Sequence, residues 1–177
     1  MSTLYVDNLQ PNLGSRVMAA GHVVQVLQAN KTDTFVSMNA ATFTDVPDLS
    51  LSITPTSATS KILVVSDIAL GHNTNAYAYY RVLRDSTHIN GGDVVSGQPN
   101  INGMTYDNAN NGIIQRVPMT YLDSPSTTSS ITYKVQVATG STNTSIGVYV
   151  NKSAADAAYT TYYPRMASSL ILMEIAQ

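Results

Sequence analysis

Cysteine and tryptophan are absent from this chain, and glutamate occurs once, as Glu174. Without cysteine there is no disulfide framework, no thiolate nucleophile and no zinc–thiolate site. Charge is scarce as well: nine Lys and Arg stand against eleven Asp and Glu in 177 residues, for a formal net charge of −2. Such a chain lacks the basic face that a nucleic-acid partner needs. No apolar run approaches the roughly 20 residues of a membrane span, so no membrane insertion is expected. Met1 leads into Ser2-Thr3-Leu4-Tyr5-Val6-Asp7 with neither the charged leader nor the apolar stretch of a signal peptide. No nucleophile elbow, phosphate loop or dinucleotide fingerprint occurs. Glycan hydrolysis by two carboxylates would need an Asp pair that no spacing here singles out. The expectation is therefore a protein that is not an enzyme and carries no cofactor.

Helical periodicity is missing too, and a period of two takes its place. Leu49, Leu51 and Ile53 alternate with Ser50, Ser52 and Thr54, the mark of a half-buried strand. Pro55 and the small polar residues to Ser60 stop that ladder. Lys61 to Leu70 is apolar on both sides, which indicates a strand covered on both faces. The expectation is one hairpin joining the two. Val23–Gln28, Ala76–Arg84, Ile113–Leu122, Ile131–Val137, Ile146–Val150 and Ser169–Ile175 add further strands. Pro118 assigns its strand to an edge or a bulge. Lys152–Tyr159 is the one helix candidate, at most a single turn, with Ser153 as its cap. About nine strands separated by turns predict an all-β, antiparallel β-sandwich. Periodicity alone does not separate a jelly roll from an immunoglobulin order, though the missing Cys-Trp-Cys core disfavours the latter.

Residues 1–22 read as an extended N-terminal arm and residues 23–177 as the sandwich. The arm has too few apolar residues to bury itself, so Leu4, Tyr5, Val6 and Leu9 are its expected anchoring contacts to other chains. A surface poor in charge and rich in Ser, Thr and Asn suits an assembly whose neighbours cover it. The two-faced strands then supply the oligomer interface, at Leu63, Val65, Leu170 and Leu172. The stretches 90–112 and 152–165 concentrate Asn, Gly, Ser and Tyr, residues suited to adaptable contacts. Tyr106, Tyr159 and Tyr162 are the candidate receptor-binding residues there. His22, His72 and His88 lack metal-ligand spacing. Asp107–Gly112 places Ala109 and Pro118 where a calcium loop needs oxygen ligands, so no metal is expected.

Two stretches and the ending carry a family resemblance. Ser2-Thr3-Leu4-Tyr5-Val6-Asp7-Asn8-Leu9-Gln10 with Gly21-His22-Val23-Val24-Gln25-Val26-Leu27 resembles the start of bacteriophage tail-fibre-like proteins. Leu49–Pro55 with Ser60–Val64, and Ser169–Ile175, resemble the core of the C-terminal domain in those proteins. Residues 71–165 carry no resemblance. The likeness implies a virion surface protein whose domain is a homotrimeric jelly roll of tumour-necrosis-factor-like outline. It further implies partners among other virion proteins, reached through the arm, and a host surface glycan as receptor. A small fibre or fibre-tip adhesin is the leading expectation; a capsid decoration protein is the alternative.

Overall fold

Eleven strands account for the secondary structure of the described chain. The computed structural model describes residues 19–73, 75–107, 112–156 and 163–177. The strands are β1 (Val23–Lys31), β2 (Phe35–Ser37), β3 (Thr44–Ile53), β4 (Lys61–His72), β5 (Ala76–Arg84) and β6 (Thr87–His88). They continue as β7 (Gly103–Asp107), β8 (Ile114–Asp123), β9 (Ile131–Thr139), β10 (Val148–Val150) and β11 (Ser168–Ile175). No helix forms among the described residues.

The long strands divide into two antiparallel layers. In the first, β11 lies between β1 and β4, and β8 lies on the far side of β4. The short β10 and β2 continue that layer beyond the end of β11. In the second, β3, β9 and β5 run in that order, and β7 and β6 complete the far side of β5. Orders β1-β11-β4-β8 and β3-β9-β5-β7 are those of a jelly roll. The sandwich reading holds, and strand order supplies what periodicity left open. Pro118 sits on β8, which among the described residues pairs with β4 alone, the edge position to which a residue without an N–H is suited.

The core lies between the layers. Ile62, Val64, Ile68 and Leu70 of β4 meet Ala78, Tyr80 and Val82 of β5 and Tyr133, Val135 and Val137 of β9, all fully buried. Burying each large apolar side chain contributes about 1.5–3 kcal/mol. Leu170 and Leu172 of β11 belong to this core at 0% exposure. Their assignment to an oligomer interface is therefore corrected. A strand apolar on both sides offers two candidate faces, and the register turns these two leucines inward, leaving Ile171, Met173 and Ile175 outside.

The expected β3–β4 hairpin is also corrected. β3 pairs with β9 in one layer and β4 with β11 and β8 in the other. The connection 54–60 thus crosses between sheets. What holds that corner is Glu174, fully buried on the core side of β11. The Thr56 amide and hydroxyl both donate to its Oε1 at 2.7 Å. Gln25 Nε2 donates to Oε2 at 2.6 Å and to the Thr54 carbonyl at 2.9 Å. Burial works against the charge of Glu174, but these bonds outweigh it and hold the carboxyl below its ordinary range.

A second polar link joins the layers at the opposite edge. Arg84 of β5 donates to both carboxylate oxygens of Asp123 on β8, at 2.8 and 2.7 Å. The Tyr133 hydroxyl of β9 donates to the same carboxylate at 2.6 Å. A third knot is Asn151, buried at positive φ. Its amide donates to the carbonyls of Lys31 and Asp33, both at 2.8 Å, and its Oδ1 accepts from the Ser168 hydroxyl at 2.6 Å. The helix candidate keeps only its cap: Asp156 N donates to Ser153 Oγ at 3.3 Å with no helix among the described residues.

The Glu174 corner makes stability acid-sensitive. A carboxyl depressed in the fold stabilises it fully above the unfolded value of about 4.3, and that stability is lost as pH falls through the folded value. Thermal unfolding followed from pH 7 downwards should show this loss, and Glu174→Gln should flatten it while costing about 1–2 kcal/mol at neutral pH.

Candidate functional site on the outer face of the second sheet

Alternation along β5 sends Tyr80 into the core and Tyr77, Tyr79 and Arg81 to the outer face. β7 lies beside β5 with Tyr106 opposite Tyr77 and Met104 opposite Tyr79. The rings form a ladder: Tyr106 and Tyr77 stack at 4.4 Å between centroids, and Tyr77 and Tyr79 at 5.9 Å. Tyr77 and Tyr106 remain exposed. Cross-strand aromatic pairs of this kind add to sheet stability.

On the other side of β5, Tyr79 faces Ala138 and Arg81 faces Gln136 of β9. Arg81 Nε donates to Gln136 Oε1 at 2.8 Å, and the Gln136 amide donates to Asp45 of β3 at 2.6 Å. Lys134 Nζ completes the chain to Asp45 at 2.8 Å. Burial opposes the charge of Asp45, yet the bonds from Lys134 and Gln136 prevail and hold its carboxyl low. The Arg81 guanidinium also lies 3.9 Å from the centroid of Phe43, a cation–π contact. That ring is thus fixed from behind.

Phe43 and Tyr79 line a shallow cavity of about 370 Å³, together with Ala41, Ala138, Gly140 and the Gly97-Gln98-Pro99 segment. Gly140 is needed there, because a Cβ on it would stand 2.6 Å from the Tyr79 hydroxyl oxygen. The wall at Gln98 belongs to a loop closed by Asn102. Its Oδ1 accepts from the Val82 amide at 2.7 Å, and its Nδ2 donates to the carbonyls of Ile89 and Asn90, both at 2.9 Å. Asn100 ties the loop again, donating to the Gly92 carbonyl at 2.9 Å. The long loop expected over 90–112 is shorter than that, since Gly103–Asp107 is β7.

Of the residues named from sequence, Tyr106 stands on this face, at the far end of the ladder from the cavity. Tyr159 and Tyr162 lie outside the described residues, as do Leu4, Tyr5, Val6 and Leu9 of the arm. Leu63 and Val65 point outward from the other sheet and are half-buried, while Leu170 and Leu172 fill the core. Phe43, Arg81 and Gln98 were not singled out. The period-two spacing of Tyr77, Tyr79 and Arg81 carried a signal for one shared face, but nothing local brings Phe43 beside them. Among the described residues no three His, Asp or Glu side chains group closely enough to hold a metal ion.

No family model and no curated protein matches the chain. Among solved structures it is similar to that of infectious bursal disease virus Gt strain, at 11% identity and TM-score 0.45 over 98% of this chain and 47% of that one. It is similar also to T=1 particles derived from infectious bursal virus, at 12% identity and TM-score 0.45 over 98% of this chain and 41% of that one. A third is the T13 particle of the same virus, at 10% identity and TM-score 0.46 over 97% and 40%. The chain spans less than half the length of each. Likeness this distant carries no argument about what the chain does; the jelly roll is read from strand order.

The ladder has a spectroscopic signature. Burial, and then the neighbouring Tyr77, raise the Tyr79 phenol above its ordinary value. In a titration of ring-labelled tyrosines followed by NMR, Tyr79 should ionise above the ordinary value of about 10, and Gly140→Ala should perturb its resonance because the added methyl displaces the ring.

Proposed function

We propose that this chain is a structural protein of a phage virion surface that assembles as a homotrimer and serves as a small fibre or fibre-tip adhesin. The observation that carries assembly is the outer face of the first sheet. Val26, Met173, Leu63 and Leu122 stand in register across β1, β11, β4 and β8. Val26 is 54% and Leu122 44% exposed. The adjacent row brings Ile171 beside Val65, and Ile175 pairs with Val23, which is 52% exposed. The Asp67–Arg116 ion pair lies further along the same face. An apolar row running across four strands supports reading this face as an interface. In this reading the interface is formed by Leu63 and Val65 with Met173 and Ile171, in place of the buried Leu170 and Leu172.

Three copies, a virion location and contact with other virion proteins through residues 1–22 follow the resemblance to tail-fibre-like proteins. Jelly rolls serve viral capsid and lectin domains alike, which is compatible with the adhesin and does not by itself select it. A capsid decoration protein would use the same interface and arm without binding a receptor. Copy number separates the two: a few trimers at one vertex of the imaged particle mark an appendage, and many over the shell mark decoration.

Light scattering at micromolar concentration should give a mass three times that of the chain; a monomer would refute the assembly. Leu63→Asp or Met173→Asp should yield folded monomers, whereas Leu172→Asp, placing a charge in the core, should cost about 4 kcal/mol or more and unfold the domain. Deleting residues 2–20 should abolish incorporation into particles while leaving the sandwich folded.

A further inference from the structure

We infer that the cavity between Phe43 and Tyr79 is a saccharide-binding site, and that its ligand is a neutral oligosaccharide. The two outer faces of the sandwich differ in kind. One carries an apolar row across β1, β11, β4 and β8, suited to a copy of itself. The other sets aromatic rings beside Gln136 and the paired charges of Arg81, Asp45 and Lys134, and carries the concavity at Phe43 and Tyr79. Two aromatic walls give flat apolar surfaces of the sort on which the C–H face of a pyranose lies. The floor is Ala41, Ala138 and Gly140, whose small side chains leave the volume open.

The lining contains no Asp, Glu, Lys, Arg or His. The nearby charges are already engaged: Arg81 is held by Gln136 and Phe43, and Asp45 by Lys134 and Gln136. An ionic ligand would therefore meet no free counter-charge. A neutral polyhydroxylated ligand meets groups that still have capacity. Among the described residues, neither the Tyr79 hydroxyl nor the Gln98 side-chain amide has a hydrogen-bond partner. Together they offer donors and acceptors at the cavity rim. The Tyr79 phenol, ordinarily protonated at neutral pH, is a donor there.

The site is preorganised on both sides. Arg81 fixes Phe43 from beneath, and the Asn102 and Asn100 bonds hold the loop that carries Gln98. A binding site whose walls need little ordering loses less entropy on association. From the cavity, the Tyr79–Tyr77–Tyr106 ladder extends along β5 and β7, so a ligand of several sugar units has exposed hydroxyl-bearing rings to follow. This places Tyr106 at the outer end of the site rather than at its centre. The inference rests on the adhesin reading only for the source of the saccharide, a host surface.

Saturation-transfer NMR on the purified full chain tests it, with cellotriose, maltotriose and the trimer of N-acetylglucosamine as probes and a sulfated oligosaccharide as comparison. At least one neutral trimer should bind at millimolar concentration and outcompete the sulfated one. Tyr79→Ala and Phe43→Ala should each weaken it about tenfold, the size of one lost stacking contact. Tyr79→Phe, which keeps the ring and removes the hydroxyl, should weaken binding less than Tyr79→Ala, and Gln98→Ala, at an exposed position, should weaken it with the trimer mass unchanged. Failure of all three neutral probes, preference for the sulfated one, or binding indifferent to Tyr79→Ala and Gln98→Ala would overturn the site. Particle incorporation, measured separately on the same variants, reports on the virion role: a variant that loses sugar binding yet still enters particles leaves that role standing.

Discussion

The corner held by Glu174 is the constraint on which the architecture depends. A seven-residue connection leaves β3 and must place β4 in the opposite sheet. Unpinned, two adjacent antiparallel strands would pair as a hairpin, the arrangement with the least loop to close. The buried carboxylate accepts from the Thr56 amide and hydroxyl and from Gln25, so one side chain of the last strand fixes the first strand and the corner together. The chain cannot close this knot until β11 is in place between β1 and β4. The same side chain therefore ties order in the first sheet to the crossover into the second. A buried charge tolerates such a location only because several donors surround it.

The crossover gives the molecule its two different outer faces. Because β4 stays in the first sheet, its odd-numbered residues Leu63 and Val65 join Met173, Ile171, Val26 and Leu122 on one exterior. Because β3 stays in the second, Asp45 reaches Lys134 and Gln136 of β9, and Phe43 comes beside Arg81 of β5. A β3–β4 hairpin would have mixed these sets. The division into an apolar face and an aromatic, polar face thus follows from topology, and the core between them is ordinary packing of aliphatic and tyrosine side chains.

Rigidity is distributed to match. Arg84, Asp123 and Tyr133 join the layers at one edge, and Asn151 ties the β1–β2 connection to the start of β11. Asn151 also begins an Asn-x-Ser triplet, but its amide is consumed inside the protein and fully buried. Between these knots the loop from Ile89 to Asn102 stands out from the sheet, with Val94 87% exposed, yet it is closed on itself by side-chain amides. A projecting loop on a fixed scaffold is where recognition is usually placed.

Alternation along single strands was legible from the residues alone. It determined the all-β class and the inward Leu49 and Ile53, while Pro118 pointed to an edge or a bulge, of which the fold realises the edge. It also put Tyr77, Tyr79 and Arg81 on one side of a strand, since side chains of a strand alternate whatever lies around them. Partnership between strands was not legible. Only the folded chain decided that β3 and β4 separate, that Leu170 and Leu172 rather than Ile171 and Met173 turn inward, and that Phe43 meets Arg81. For a strand apolar on both sides the local pattern is symmetric, and a one-residue change of register exchanges the two faces. That symmetry is broken by distant contacts, here by Glu174 taking the core side and meeting Thr56 across 118 positions of chain.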